Sequence, residues 1–208
     1  MLNQKDTPLY TTLLNHISKN PISGHVPGHK NGTNLPEETN MKNSFQKILQ
    51  LDVTEITGLD DLHDPEGAIK EAQALAAALY GTDETFFLVN GSTVGNLAMI
   101  LATCSSGGKV LVQRNCHKSI MSGIELAGAH PVFISPQIHK EIGVPTSIYI
   151  EDVKLAFEQI EDIQAIIITN PNYYGVSVEL KEIIQYAHSK KVPVLVDEAH
   201  GAHFILSE

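Results

Sequence analysis

The hydrophobic positions in the second half of the chain form short continuous runs that alternate with stretches of helical periodicity. The apolar runs lie at 84–89, 109–113, 131–135, 165–169 and 192–197, and the helical stretches lie near 93–104, 117–127, 151–160 and 179–190. The runs at 165–169 and 192–197 are rich in β-branched residues, which is typical of parallel strands buried on both faces. The alternation predicts an α/β fold of three layers, in which helices cover a mostly parallel sheet.

The first 60 residues follow a different pattern. A helix is predicted from Leu9 to Ser18, and the segment 24–32 contains too much glycine and proline for the interior of a helix or strand. We interpret residues 1–60 as an N-terminal arm and loop segment, and residues 61–208 as a separate domain.

The first helix of that domain has clear start and stop signals. Asp64 is placed to cap it, Pro65 suits its first position and Gly81 suits its end. Its apolar face consists of Ile69, Ala72, Leu75, Ala76 and Leu79.

Composition and charge narrow the classes of function. The 208 residues are 42% hydrophobic, and 24 acidic residues outnumber 14 basic ones, for a formal net charge of −10. A polyanionic partner needs clustered Lys and Arg, so we expect no nucleic-acid partner. There is no signal peptide and no apolar stretch near the ~20 residues that span a bilayer, so we expect a cytoplasmic protein with no membrane partner. We interpret Cys104 and Cys116 as reduced thiols.

Polar residues follow the apolar runs where the predicted strands end. The carboxyl ends of parallel strands meet at one edge of the sheet, and ligands bind there in open α/β folds. After the run at 84–89, a glycine turn and the hydroxyls of Ser92 and Thr93 open a helix, an arrangement that binds phosphate through backbone N–H groups. His117 follows the second run, and Asp197 ends the fifth.

Together these residues match the needs of one cofactor. Pyridoxal phosphate requires a site for its phosphate, a carboxylate that keeps the pyridine nitrogen protonated, and a flat group stacked on the ring. Ser92 and Thr93 supply the first, Asp197 the second and His117 the third. Each residue taken singly also has a structural explanation, as a helix cap, a buried ion pair or a structural histidine.

Seven motifs, in order, resemble those of the Orn/Lys/Arg decarboxylases. These are pyridoxal-phosphate enzymes of the aspartate-aminotransferase fold (fold type I), and the resemblance runs from Tyr10 to the last residue. The motifs are His25-Val26-Pro27-Gly28-His29-Lys30, Asp52-Val53-Thr54-Glu55, Gly58-Leu59-Asp60-Asp61-Leu62-His63, Asn90-Gly91-Ser92-Thr93-Val94-Gly95-Asn96, His117-Lys118-Ser119, Asn170-Pro171-Asn172-Tyr173-Tyr174-Gly175 and Asp197-Glu198-Ala199-His200-Gly201.

The resemblance implies roles for single residues. Ser92 and Thr93 would bind the cofactor phosphate. His117 would stack on the pyridine ring, Asp197 would pair with its nitrogen, and His200 would lie beside the cofactor. The implied activity is the release of carbon dioxide from the α-carbon of arginine, lysine or ornithine, as in the shorter biosynthetic members that make polyamines.

The resemblance also implies an assembly. The arm at 25–31 would lie near an active-site mouth and a subunit interface, in a homo-oligomer of two or more chains. The family's sheet order, 3-2-4-5-6-7-1, predicts that the runs near 132, 110, 166 and 194 form one block. The run at 84–89 would be a strand detached from that block, which predicts a marginally stable or aggregating 208-residue piece.

One family feature is absent from the sequence. The Schiff-base lysine of the family lies in a Ser-x-His-Lys motif after the aspartate motif, and no such motif occurs here. We therefore interpret residues 61–208 as a partial pyridoxal-phosphate-binding large domain, truncated before that lysine and the C-terminal domain, and inactive alone.

Two other interpretations stay open. The protein could be a different fold type I enzyme with the same cofactor, such as an aminotransferase or carbon–sulfur lyase, or it could be a catalytically inert fragment.

Two further patterns are set aside. The helicase-like Asp197-Glu198-Ala199-His200 has no accompanying phosphate-binding Gly-x-x-x-x-Gly-Lys-Ser/Thr loop. His200, His203 and Asp197 lack a further well-placed ligand, so we expect no metal.

Overall fold

The chain divides into two compact units, Met1–Phe87 and Leu88–Glu208, called here the N-terminal and C-terminal units. The computed structural model describes residues 3–36 and 40–206. The N-terminal unit consists of α1 (Pro8–Ser18), a 3₁₀ turn (Lys30–Gly32), α2 (Asn40–Leu51) and α3 (Ala68–Tyr80). Within this unit α1 packs against both α2 and α3. The division between arm and cofactor domain at residue 60 stays a prediction.

The helix predicted at 9–18 is confirmed as α1, whereas α2 lies in a region predicted to be irregular. Its apolar residues Phe45 and Ile48 are three positions apart, as on one face of a helix, but they are 50% and 59% exposed. The pattern was weak because few apolar residues occupy this helix.

The predicted start of α3 is wrong. The helix begins at Ala68 after Gly67, and Asp64 does not cap it. The carboxylate of Asp60 accepts hydrogen bonds instead from the backbone N–H groups of Glu66, Gly67, Ile69 and Lys70, at 2.8–3.3 Å. A side chain six to ten residues upstream thus satisfies the free N–H groups of the first turn, which spacing rules for caps do not detect.

Within residues 88–206, the C-terminal unit contains four strands and four helices. They are α4 (Ser92–Thr103), β1 (Lys109–Gln113), α5 (Lys118–Ala127), β2 (His130–Ile134), α6 (Ile150–Gln159), β3 (Ile163–Thr169), α7 (Leu180–Ser189) and β4 (Val194–Asp197), followed by a 3₁₀ turn at Phe204–Leu206. Pro193 precedes β4, where its missing N–H breaks no ladder bond within the strand.

The strands form one parallel sheet in the order β2-β1-β3-β4. This is the block of four strands predicted from the runs near 132, 110, 166 and 194. The register places Thr169, the last residue of β3, beside Asp197, the last residue of β4.

Helices cover both faces of the sheet, which confirms the predicted three-layer α/β fold. On one face, Val112 and Ile167 pack with Ile100 of α4 and Ile120 and Ile124 of α5. On the other face, Ile166 and Ile168 of β3 pack with residues of α6 and α7, including Val153 and Ile183. Successive residues of a strand alternate between the faces. Because Leu195 packs on the α4 and α5 face, Asp197 two residues later belongs to that face as well.

The strand predicted at 84–89 is wrong. This segment has no regular secondary structure, and none of the four strands pairs with it. Phe86, Leu88 and Val89 are 69%, 47% and 56% exposed. A continuous apolar run indicates a segment suited to burial, but a strand exists only where a neighbour completes its backbone hydrogen bonds.

Candidate functional site

Asp197 lies at the carboxyl edge of the sheet and is 5% exposed. A buried carboxylate is costly unless donors reach it. Its Oδ2 accepts a hydrogen bond of 2.9 Å from Asn96 Nδ2, and its Oδ1 accepts one of 3.2 Å from the Ala199 N–H. The backbone carbonyl of Asp197 accepts from the Asn170 N–H at 3.0 Å, which joins the end of β4 to the loop after β3.

Asn96 connects Asp197 to the start of α5. Its Nδ2 also donates to Ser119 Oγ at 2.9 Å, and both residues are buried, at 4% and 3% exposure. Asn96 lies one turn inside α4, so the amino-terminal end of α4 and the carboxyl end of β4 lie at the same edge of the sheet.

His117 caps α5. Its Nδ1 accepts from the Ser119 N–H at 3.2 Å and lies 2.8 Å from Ser119 Oγ. Since the backbone N–H requires Nδ1 to be an acceptor, the Ser119 hydroxyl donates to the same nitrogen, and the network assigns the ring proton to Nε2. The imidazole itself is exposed. His117 and Asp197 therefore belong to one hydrogen-bonded network that runs through Ser119 and Asn96.

Ser92 and Thr93 are the first residues of α4, and both are exposed. Gly91 precedes them at φ 71°, a conformation that favours glycine, and an added Cβ there would meet nothing within 4 Å. Among the described residues, no side chain caps this helix and no partner binds the backbone N–H of Ser92 or Thr93. The helix start thus offers free donors and the positive end of its dipole.

His200 lies in the exposed turn after β4. Its ring contacts that of Tyr173 edge to face, with centroids 5.8 Å apart. Within the described part of the chain it makes no hydrogen bond to the network of Asn96, Ser119, His117 and Asp197, so the structure does not place it there.

The loop after β3 is held by its asparagines. Asn172 is 1% exposed, and its Oδ1 accepts from the N–H groups of Tyr174 and Val176 while its Nδ2 donates to the carbonyl of Pro145 at 2.9 Å. Asn170 Oδ1 accepts from the Val178 N–H at 2.7 Å. These bonds fix the loop against the sheet edge.

Thr169 carries an unused hydroxyl beside Asp197. Alternation along β3 places its side chain on the α4 and α5 face, and its register partner is Asp197. Its N–H donates to Gln113 Oε1 at 3.2 Å, but its buried Oγ1 has no hydrogen-bond partner among the described residues. A buried hydroxyl without a partner is rare and is consistent with a ligand or water at this edge.

These features fit pyridoxal phosphate. The open start of α4 suits a phosphate, Asp197 suits the pyridine nitrogen, and the exposed imidazole of His117 is a flat group fixed at its Nδ1 side. Asn96, Ser119 and Thr169 were not predicted as site residues. The sequence does mark Asn96, because it is the polar residue within the apolar interior of helix α4, between Val94 and Ala102.

We also searched the described part of the chain for metal ligands, disulfides and membrane-spanning helices. Residues 3–36 and 40–206 contain no cluster of three metal-ligating side chains. Cys104 and Cys116 are free, and burial raises the pKa of the Cys116 thiol. No helix within the same residues is both long and apolar enough to span a bilayer.

Known proteins are similar to this chain over nearly its whole length. The sequence model of the Orn/Lys/Arg decarboxylase major domain matches residues 7–208. The chain is 53% identical over 203 residues to YaaO of Bacillus subtilis, and 45% identical over 202 residues to an arginine decarboxylase of Bacillus cereus. These alignments cover 98% and 97% of this chain, but only 42% and 44% of the two relatives.

Solved structures include a similar fold. The constitutive lysine decarboxylase of Escherichia coli superposes with a TM-score of 0.65 at 25% identity, over 81% of this chain and 25% of that one. The chain therefore corresponds to a part of such proteins, as the sequence motifs predicted.

Proposed function

Because this chain belongs to the Orn/Lys/Arg decarboxylase family, we propose that the protein decarboxylates a basic amino acid with pyridoxal phosphate as cofactor. The observation that carries the proposal is the hydrogen-bonded network that joins the buried Asp197 to the exposed His117 at the carboxyl edge of the sheet. Open α/β sheets generally bind ligands at the carboxyl edge of their strands. Pyridoxal phosphate needs a carboxylate for its ring nitrogen, a flat group for its ring and an anion site for its phosphate, and this edge offers all three.

Each residue has a proposed task. The N–H groups and hydroxyls of Ser92 and Thr93 bind the phosphate. Asp197 accepts a hydrogen bond from the protonated pyridine nitrogen, and the imidazole of His117 stacks on the ring. We also propose that His200, whose ring contacts Tyr173, lies beside the cofactor.

The bound cofactor supplies an electron sink for the pair left on the α-carbon when its bond to the carboxylate breaks. The carboxylate departs as carbon dioxide, and a proton replaces it on that carbon. Asp197 supports this step by holding a negative charge beside the ring nitrogen. The Ser-x-His-Lys motif is absent from the 208 residues, so we assign none of their lysines to the covalent bond with the cofactor.

Arginine is the proposed substrate. The relative called an arginine decarboxylase is 45% identical, whereas the lysine decarboxylase of known structure is 25% identical. We further propose a cytoplasmic homo-oligomer whose amine product feeds polyamine biosynthesis.

Product analysis tests the proposal. The complete natural polypeptide that contains this sequence is loaded with pyridoxal phosphate and incubated with arginine, lysine or ornithine in turn. We expect carbon dioxide and the corresponding amine in equal amounts, fastest from arginine. Formation of a keto acid without carbon dioxide would identify an aminotransferase, and no turnover of any of the three would refute the proposed activity.

A further inference from the structure

We propose that Asn96 is a positioning residue that fixes Asp197 and His117 together. The consequence for catalysis rests on the proposed function, but the arrangement itself does not. Asn96 Nδ2 has two hydrogens, and two acceptors lie at 2.9 Å from it, Asp197 Oδ2 and Ser119 Oγ. Both donor positions of the amide are therefore used.

The surroundings fix which way the amide points. A rotated amide would place Oδ1 of Asn96 against the carboxylate of Asp197, so that two acceptors faced each other. It would also remove the donor to Ser119. A single amide orientation therefore serves both neighbours.

The second branch of the network controls His117. Because Ser119 Oγ accepts from Asn96, its own hydrogen points away from Asn96 and toward His117 Nδ1. Nδ1 accepts a second bond from the Ser119 N–H. These two bonds set the plane of the imidazole and keep its proton on Nε2.

Burial makes the coupling strong. Asn96, Ser119 and Asp197 are 4%, 3% and 5% exposed, so water does not readily replace a lost donor. Without the Asn96 amide, one oxygen of Asp197 and the hydroxyl oxygen of Ser119 would each lose a donor, and the cost of an unsatisfied buried group exceeds that of a lost surface bond. A change at Asn96 should thus disturb the carboxylate and the imidazole at once.

The apoprotein provides the first test. The complete polypeptide is labelled with ¹⁵N-histidine, and the His117 signals are identified by their loss in His117→Gln. We expect wild type to show an unprotonated Nδ1 and a protonated Nε2. Asn96→Ala and Ser119→Ala should move both nitrogen signals and weaken the preference for this tautomer. Asn96→Ala frees the Ser119 hydroxyl to rotate and Ser119→Ala removes it, while the backbone N–H of Ser119 still donates to Nδ1 in both variants.

The cofactor complex separates the two branches. With ¹⁵N-labelled pyridoxal phosphate, Asn96→Ala should alter the signal of the ring nitrogen, because Asp197 loses a donor. Ser119→Ala should leave that signal near its wild-type position, because the Asn96–Asp197 bond remains. The expected kinetic result for Asn96→Ala is a loss in kcat of about ten- to hundredfold, the range for a hydrogen bond to a charged group, with a smaller change in KM.

Ile100→Val is the matched control. The side chain of Ile100 is apolar and fully buried one turn further along α4, so this variant measures the cost of disturbing the packing of α4 alone. It should leave both nitrogen signals unchanged. If Asn96→Ala does not fold, the ¹⁵N spectra of His117 are compared in Asn96→Ser and Ser119→Ala instead.

Two failures are distinguishable. Wild-type protein that binds no pyridoxal phosphate would refute the proposed function and leave the apoprotein result intact. His117 spectra that are the same in wild type and in the foldable variants at Asn96 and Ser119 would overturn the positioning role, whatever the enzyme does with its substrate.

Discussion

Asp197 ends an apolar strand, yet one donor reaches each of its carboxylate oxygens. Asn96 supplies one donor from α4, and the Ala199 N–H supplies the other from the turn that follows. The carboxylate is thereby held in one orientation before any ligand arrives. Such preorganisation lowers the cost of stabilising charge in a reaction.

Replacing Asp197 by asparagine tests its charge separately from its shape. The amide has the same size and still accepts from Asn96 through its oxygen, so we expect cofactor binding to persist. Turnover should fall by roughly a hundredfold or more, because the ring nitrogen loses its anionic partner. Cofactor absorbance and steady-state kinetics of the complete protein provide the measurement.

Glu198→Gln is the control for this variant, since Glu198 is the adjacent carboxylate and is exposed. It should behave like wild type. Undiminished decarboxylation by Asp197→Asn would remove Asp197 from the mechanism.

Asp197 and His117 could be predicted from the sequence, because Asp197 ends one apolar run, His117 follows another, and the carboxyl ends of parallel strands converge. The same reasoning assigns no role to Asn96 or Ser119. Their importance depends on α4 and α5 packing against each other above the sheet, and no spacing along the chain reveals a bond between residues 23 positions apart.

At the scale of elements, α3 depends on one carboxylate outside the helix. Desolvation opposes the ionised form of Asp60, but the backbone N–H groups of Glu66, Ile69, Gly67 and Lys70 outweigh it and lower the pKa of the carboxyl to about 2. A pKa below the unfolded value means that Asp60 stabilises the fold above the unfolded pKa of about 3.9. That contribution is lost as the pH falls through about 2.

Asp60→Asn keeps one acceptor oxygen but loses the other and the charge. It should therefore destabilise the protein by about 1 kcal/mol at pH 7, the usual net contribution of one hydrogen bond. The difference from wild type should shrink between about pH 4 and pH 2, where Asp60 becomes protonated. Urea unfolding at several pH values measures it. Asp64→Asn, at the position that does not cap α3, should be nearly neutral, and an equal effect of the two substitutions would contradict this capping scheme.

The contact between α4 and α5 depends on Gly123. A Cβ at this position would lie 2.8 Å from Cδ1 of Ile100, which is fully buried. Gly123→Ala gains up to about 1 kcal/mol of helix propensity, but overpacking costs about 1–3 kcal/mol, so we expect a net loss of stability. Thermal unfolding measures it, with Ser122→Ala on the exposed side of α5 as the control. A stabilised Gly123→Ala would show that the helices separate at little cost.

Sequence patterns predicted elements best where they are long and buried. The predicted strand at 109–113 coincides with β1, and the predicted helices at 151–160 and 179–190 lie within a residue of α6 and α7 at each end. The strand prediction for 84–89 was wrong because apolar character indicates that a segment is suited to burial, but does not indicate that a neighbouring strand is present. The predicted start of α3 was wrong because the residue that caps this helix, Asp60, lies well before it in the sequence.

At the scale of the whole molecule, the order of the four strands followed from the family resemblance and not from periodicity. The sheet has two edge strands, β2 and β4, and in the described residues no further strand covers either of them. Exposed strand edges favour pairing with other chains. The exposed apolar side chains Phe86, Leu88 and Val89 add to that tendency.

We therefore expect the 208-residue polypeptide, expressed by itself, to self-associate. Size-exclusion chromatography with light scattering should give a mass above the 22.7 kDa of one chain, or loss of material by aggregation. A monodisperse monomer with a cooperative unfolding transition would contradict this expectation.

A crystal structure of the complete protein with pyridoxal phosphate bound tests the proposed cofactor site most directly. We expect the phosphate within hydrogen-bonding distance of the N–H groups of Ser92 and Thr93, the pyridine nitrogen on the carboxylate of Asp197, and the imidazole of His117 stacked on the ring. A cofactor bound elsewhere, or one whose ring nitrogen faces away from Asp197, would contradict it.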